Sequence, residues 1–362
     1  MHFFPSRQIG FYMARLFLIR TLAVLAMLVL ILQTLDLLGE SGKIMAVAGN
    51  SQGDLWTYIG MRAPQIISRM LPFSVLLGTL ITFTTLSQHS EVVAMKAAGL
   101  SAHQILAPLI VASLLVAATS FIFNDSIVAP ATAQLKRWQD AEYIKLPADS
   151  GVKSNVWVRE GQDIINAGSV KRIGGQTRLN DVSVYLRTEN SLRRVIKADS
   201  GIFIGGAWRL SNVSVFDAGS ADKKDYDQMT VGRGVTPDRF QYIKVDGEAL
   251  GFLPLYRAIQ GLKAAGRRTG SLESILWHKI SGPLSALLMP LLAAVAAFGL
   301  ARSGALFLRA VIGMALGFIY FVADNFALAM GNLGAYPPWI AAWAPFLLFF
   351  LIGETVLVRT EE

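Results

Sequence analysis

Six apolar runs, three toward each end of the chain, flank a polar middle with strand-like patterning, and this layout restricts the fold more than any single motif. The runs fall at residues 11–35, 66–86, 105–123, 275–300, 305–330 and 339–358. Each has about 20 residues or more, the length a helix needs to cross a ~30 Å hydrocarbon core. Lipid offers a bare backbone no hydrogen-bonding partner, so such spans must be helices. The predicted fold is a membrane α-helical bundle of six transmembrane helices with an inserted all-β domain.

Composition agrees. The chain is 53% hydrophobic and only 16% charged, where soluble domains carry about a quarter charged residues. The first run is longer than the apolar part of a cleavable signal. The Leu37-Leu38-Gly39-Glu40 that follows it offers no small-x-small cleavage site, so it is expected to remain as a span. The net charge of +8 does not indicate nucleic acid. Arg7, Arg15, Arg20, Lys96, Arg302, Arg309 and Arg359 flank spans on one side, the pattern of positive-inside orientation. Both termini and the 87–104 and 301–309 loops are then expected in the cytoplasm, with the polar insert on the opposite face. The absence of cysteine excludes disulfides and thiolate metal sites.

Residues 154–235 alternate with period two. Val156-Trp157-Val158, a turn at Glu160-Gly161 and Ile164-Ile165 read as a hairpin, and 182–186 with 192–196 around a turn at 188–190 read as another. Residues 201–204, Gly205-Gly206, 208–210 and 213–216 continue a meander, which favours a sandwich or open barrel. Residues 255–265 have helical spacing with Gly266 as a stop. The expected division is spans one to three over 1–130, the β domain over 131–253, and a linker helix with spans four to six over 254–362.

The loop between spans two and three is unusual. Ser90 is placed as an N-cap, Glu91 meets the positive helix end, Gly99 suits a left-handed stop, and Ser101 with Gln104 forms a capping box for the next span. The helix so predicted, at about residues 90–99, is too short to be stable alone. Its Val92, Val93, Met95, Ala97 and Ala98 are more apolar than a solvated connector requires. It reads either as a tight connector or as an element held by a partner or by headgroups.

The segment from Leu86 to Gly99 closely resembles the coupling helix of the lipopolysaccharide export permeases of the LptF/LptG family. Val128-Ala129-Pro130 and Asp324-Asn325 are similar too, and the stretch from Gly334 through Trp339 to Pro345 is more similar to the LptG branch than to the LptF branch. The resemblance covers essentially the whole chain. It implies a jellyroll-like periplasmic β domain and an inner-membrane, multi-pass permease subunit of an ABC transporter. Such a subunit works with an LptF-like sister permease, a dimeric cytoplasmic LptB-like ATPase and a single-span LptC-like subunit, and moves lipopolysaccharide to a periplasmic bridge. It also implies that Glu91, Val92, Met95 and Gly99 sit in the ATPase groove, that spans one and five face the sister permease, and that ATP and Mg²⁺ are used by the ATPase, with no cofactor bound by this chain.

Other motifs carry less. Gly39-Glu40-Ser41-Gly42-Lys43-Ile44 has the look of a phosphate loop, but Leu37 and Ile44 break the pattern. His2, His89, His103 and His278 match no metal-ligand spacing. No GxSxG elbow is present, and Asp222 and Asp225 read as a solvated turn. Asp324, with Asn325 beside it, lies inside span five. An ionised Asp at a helix centre costs on the order of 3 kcal/mol, so it is either functional or hydrogen-bonded to a neighbouring helix. Asp36 and Glu354 lie near enough to span ends to reach an interface.

Arg62, Arg69, Lys136 and Arg137 lie at the outer level of spans two and three. They suit the phosphates of lipid A, or alternatively they snorkel to phospholipid headgroups. Where relatives often carry a basic residue in span one, this chain has Gln33-Thr34, so Arg69 is expected to take that role. The mechanical expectation is that ATP-driven movement of the 90–99 helix closes an apolar cavity and drives the lipid upward. A lipid-modifying membrane enzyme and a membrane scaffold are the rival classes, and the LptF-type subunit is the rival within the family.

Overall fold

The computed structural model describes residues 6–144, 153–160, 163–173, 176–188, 191–220, 222–232, 235, 237, 245–264, 266–296 and 306–359. It divides into a helical unit, Met1–Lys145 with Asp246–Glu362, and a β unit, Leu146–Val245. These limits lie inside the expected 131–253 insert, because helix continues to Asp140 and resumes at Phe252.

The helical unit contains α1 (Arg7–Ala46), α2 (Gln52–Gln88), α3 (Glu91–Ala97), α4 (Ala102–Phe123), α5 (Ala129–Asp140), α6 (Phe252–Ala264), α7 (Gly270–Ala294), α8 (Leu306–Asn332) and α9 (Pro338–Arg359). Among the described residues, six helical stretches are long and apolar enough to span a membrane: α1, α2, α4 with α5, α7, α8 and α9. The 40 residues of α1 make about 60 Å of helix, about twice the hydrocarbon core, so one end must stand clear of it. The phosphate-loop-like Gly39–Ile44 stretch is therefore helix rather than loop, and Glu40 pairs with Lys43 one turn on at 2.9 Å.

At the end opposite α3, Ile44, Tyr58, Leu135 and Tyr143 make a small separate core. Between α4 and α5 the chain makes a π turn, Asn124–Val128. Pro130 has no N–H to donate to the preceding turn, and the wider turn absorbs that loss. The main core is built by α1, α2, α4, α7, α8 and α9 around Phe17, Leu76, Phe83, Leu109, Leu291 and Tyr320. The α1–α2 seam is close enough to demand glycine. A Cβ on Gly78 would lie 2.3 Å from Thr21 Oγ1 and 2.8 Å from its Cα, the small-residue contact expected of helices in lipid.

The β unit is one antiparallel sheet in sequential order, with β1 (Lys153–Glu160), β2 (Asp163–Ile173), β3 (Gln176–Thr188), β4 (Ser191–Ile204), β5 (Ala207–Asp217) and β6 (Asp222–Val231). The expected hairpins are present, although the turn residues 161 and 189–190 lie outside the described residues. Asp222 and Asp225, expected in a turn, lie on β6, an edge strand exposed along most of its length. Its charges fit an edge that resists chance pairing.

One feature of the sheet escapes strict alternation. Pairing steps from Ala167↔Val182 to Ser169↔Asn180, from Val182↔Ala198 to Asn180↔Ser200, and from Ala198↔Val213 to Ser200↔Ser211. The skipped residues Gly168, Asp181, Asp199 and Asn212 form a line across the strands, and Asp181 and Asn212 have φ of 51° and 53°. Along this crease Ala167 and Val170, Leu179 and Val182, and Leu210 and Val213 all face the same buried side. The register is the same on both sides of this line, with one residue opposite one on each pair of strands, so neighbouring strands change phase together. The creased sheet keeps one apolar face covered around Trp208, whose indole N–H donates to Val235 O at 2.8 Å. Among the described strands the connections are those of a meander, with no crossed connection and no closure.

Candidate functional site

The helix expected between spans two and three is α3, Glu91–Ala97. Ser90 occupies its N-cap position but with φ 58°, and its hydroxyl makes no cap bond; Gly99 takes the left-handed stop at φ 85°. The Ser101–Gln104 capping box opens α4 as expected. Seven residues cannot sustain a helix alone, and tertiary contacts supply the rest. Val92 is buried with Leu86, Ala102 and Ile105, and Met95 packs against the same cluster. Val93, Ala94, Ala97, Ala98 and Gly99 are exposed, Val93 at 66%. Glu91 accepts a hydrogen bond from Tyr12 Oη of α1 at 3.3 Å. Of the four expected coupling residues, Val92 and Met95 hold α3 on the bundle, while Glu91 and Gly99 remain within reach of a partner.

A cavity of about 580 Å³ opens among α2, the π turn, α5, α7 and α8. It gathers Arg62, Arg69, Lys136, Asp324 and Asn325, residues scattered over more than 260 positions of sequence, and adds Lys279, His278 and Glu248. Its apolar wall includes Leu71, Phe73, Met289 and Phe321, with the Phe73 and Phe321 rings packed edge-on at 5.1 Å. Arg137, the remaining expected cation, is exposed on α5 and does not line it.

The charged groups are not equivalent. Arg62 donates from Nε to both oxygens of Asp36 at 3.1 Å and from Nη2 to Oδ1 at 2.8 Å, while Tyr58 Oη donates to Oδ2 at 2.6 Å. Asp36 thus finds its partners on α2 rather than at an interface. Lys136 is clasped by Asp246 and, at 3.3 Å, by Glu248. Burial pushes the Asp246 carboxyl up, but Lys136 and the amides of Glu248 and Ala249 outweigh it and hold the group below its ordinary range. His278 Nε2 lies 3.0 Å from Asp324 Oδ2, joining α7 to α8, and His103 Nε2 lies 3.3 Å from Glu354. Asn325 is exposed and donates back to Phe321 O at 2.8 Å. Arg69 and Lys279 make no ion pair among the described residues.

Sequence reading missed Lys279 and the His278–Asp324 contact. Periodicity places both α7 residues in an apolar helix, and nothing in the spacing shows that they meet α8. The Gln33 amide is buried on α1 with no hydrogen-bond partner among the described residues, and no structural reason for it is apparent. No group of three or more His, Cys, Asp or Glu side chains able to hold a metal ion occurs among the described residues.

The family model described as "Lipopolysaccharide export system permease LptF/LptG" matches residues 11–359. The chain is 29% identical over 308 residues to the lipopolysaccharide export system permease protein LptG of Escherichia coli K12, covering 83% of this chain and 84% of that protein. It is 27% identical over 323 residues to LptG of Haemophilus influenzae Rd, covering 87% of this chain and 89% of that one.

Proposed function

The chain belongs to the LptF/LptG family of lipopolysaccharide export permeases, matched across residues 11–359, and from that premise we propose that it is an LptG-type subunit of an ABC transporter. It extracts lipopolysaccharide from the inner membrane and passes it to a periplasmic bridge. Permeases of this family are non-catalytic; ATP is hydrolysed by a separate LptB-like dimer docked on α3. The termini and α3 lie in the cytoplasm and the β unit in the periplasm, where the creased sheet curls into a jellyroll-like conduit. An LptF-like permease and a single-span LptC-like subunit complete the assembly.

The observation that carries this reading is the cavity, with cations set against an apolar wall. A phosphorylated, acylated lipid needs both: charge-assisted contacts for its head and dry surface for its chains. Its volume is that of a drug-sized pocket, too small for a lipid with several acyl chains, so a sister permease must supply the other wall. The least covered spans support this division. Only 22% of the apolar window of α1 and 17% of that of α8 are buried, against 39–50% in the other four.

The test is reconstitution. Purified in detergent, the chain should bring down an ATPase and a sister permease, and in liposomes the complex should release lipopolysaccharide to a periplasmic acceptor only with ATP. A chain that purifies alone, or a complex that hydrolyses ATP without moving lipid, would remove the assignment. Complementation of an LptG-depleted but not an LptF-depleted strain tests the branch.

A further inference from the structure

The cations of the cavity fall into two kinds. Arg62 and Lys136 are held by carboxylates of this chain, Asp36 in one case and Asp246 with Glu248 in the other. Their charge is largely neutralised before any ligand arrives. Arg69, on α2, and Lys279, on α7, line the same cavity without an ion pair among the described residues.

Lys279 is the more telling of the two. It is half-buried on a helix whose C-terminal half lies in the apolar core, and a half-buried ammonium without a counter-ion is unfavourable. The nearby acids are already engaged. Asp324 of α8 faces the ring of His278, Asp125 accepts the backbone N–H of Phe252, and Asp246 with Glu248 clasps Lys136. None of these acids forms an ion pair with Lys279 among the described residues. The fold thus keeps one inward ammonium open while satisfying the charges around it.

We propose that Lys279, together with Arg69, is the seat of a lipid phosphomonoester, and that Arg62 and Lys136 are positioning residues that fix the walls. The compact ammonium supplies a point charge and three donors, and the guanidinium supplies a planar fork. Between them they match a dianionic phosphate better than the single negative charge of a phosphodiester. This rests on the reading of the cavity as the lipopolysaccharide site and specifies which groups hold the head.

The test uses the full chain assembled with its ATPase and sister permease in nanodiscs. Lipopolysaccharide and the same lipid stripped of its lipid A phosphates are titrated against wild type, Lys279→Gln, Lys279→Arg and Arg69→Gln. Loss of a hydrogen bond to a charged group should weaken the phosphorylated lipid about tenfold or more in Lys279→Gln and in Arg69→Gln. Binding of the stripped lipid should be unchanged in both variants, and Lys279→Arg should retain most of the phosphate preference. Inorganic phosphate and phosphatidylglycerol should not compete at matching concentrations. Melting temperatures are read alongside; if Lys279→Gln melts lower, Lys279→Arg and Arg69→Gln carry the comparison. Equal loss for both lipids, no loss for either, or effective competition by free phosphate or the phosphodiester lipid overturns the assignment. A wild-type complex that binds neither lipid overturns the cavity reading itself, which separates the two failures.

Discussion

If Arg62 is a strut rather than a ligand, its removal should register first in stability. The Asp36 carboxylate takes three contacts from Arg62, at 3.1, 3.1 and 2.8 Å, and one from Tyr58 Oη at 2.6 Å. The Arg62 and Asp36 side chains are 28% and 22% exposed. Breaking a buried pair from one side leaves the other charge stranded, at about 3–5 kcal/mol. Partial exposure lets water reach the stranded group, which points to the lower end, about 3 kcal/mol. At about 2–4 °C per kcal/mol for a unit of this size, Arg62→Met or Asp36→Leu should each lower the melting temperature by about 6–12 °C. The double variant strands no charge, only the Tyr58 hydroxyl that loses its acceptor, and should recover most of the loss, because apolar replacement of a whole pair is often neutral. The assay is a thermal melt in detergent for the wild type, both single variants and the double variant. Additive losses, with no recovery in the double variant, would refute the pairing as an energetic unit.

Three further outcomes follow from the same geometry. Glu91→Lys and Val93→Asp should each abolish co-purification of the ATPase with the melting temperature unchanged, whereas Val92→Asp, which buries a charge, should lower the melting temperature by several degrees; co-purification and melts measured on all three decide this. Gly78→Ala should destabilise the α1–α2 seam by about 1–3 kcal/mol through overpacking, read from a denaturant titration of the purified chain. The Lys136 clasp should be insensitive to pH across the neutral range. Because the folded pKa of Asp246 is depressed, its contribution is present above the unfolded value of about 3.9 and is lost as pH falls through the lower folded value. A spin-label distance between α5 and residues 246–248 should therefore lengthen only in strong acid.

The length of each apolar run made the spans legible, and alternation made five of the six strands legible. The ends were not. Residues such as Glu40, Lys43, Gln134 and Lys136 are as compatible with a loop as with a helix until α1, α2 and α5 are seen to pack on one another around Tyr58 and Leu135. The sixth strand was hidden because an exposed edge strand, Asp222–Val231, has no apolar face to alternate. The crease was hidden for a related reason: a residue in the left-handed region, such as Asp181 at φ 51°, shifts alternation by one, which in sequence looks like noise around Gly168 and Asp181. For the cavity, sequence identified cations near the correct level. It could not say which of them had already found a carboxylate, since Asp36 and Arg62 are brought together by the α1–α2 seam and Lys136 meets Asp246 across 110 positions.

The two proposed functional regions are joined by one element. Helix α2 carries Arg62 and Arg69 at the cavity, and its last residue, Gln88, is separated from α3 by only two residues. From Arg69 to Gln88 is about 28 Å of continuous helix, and its buried residues Leu76, Leu80, Phe83 and Leu86 lie in the main core, which also holds Val92 of α3. A load applied to α3 therefore acts on a packed rod rather than a flexible linker. Pro72 sits inside that rod and also lines the cavity. A proline in a helix interior removes one backbone hydrogen bond and admits a bend, so a displacement proposed at the α3 end would be converted into angle where Arg69 faces the cavity. Packing against α8 constrains this bend: Gly317 and Gly313 of α8 receive the Leu76 and Leu80 side chains so closely that an added Cβ would approach them to 2.1 and 2.6 Å. Movement of α2 must accordingly carry α8 with it, and with α8 the Asp324 that pairs with the residue preceding Lys279.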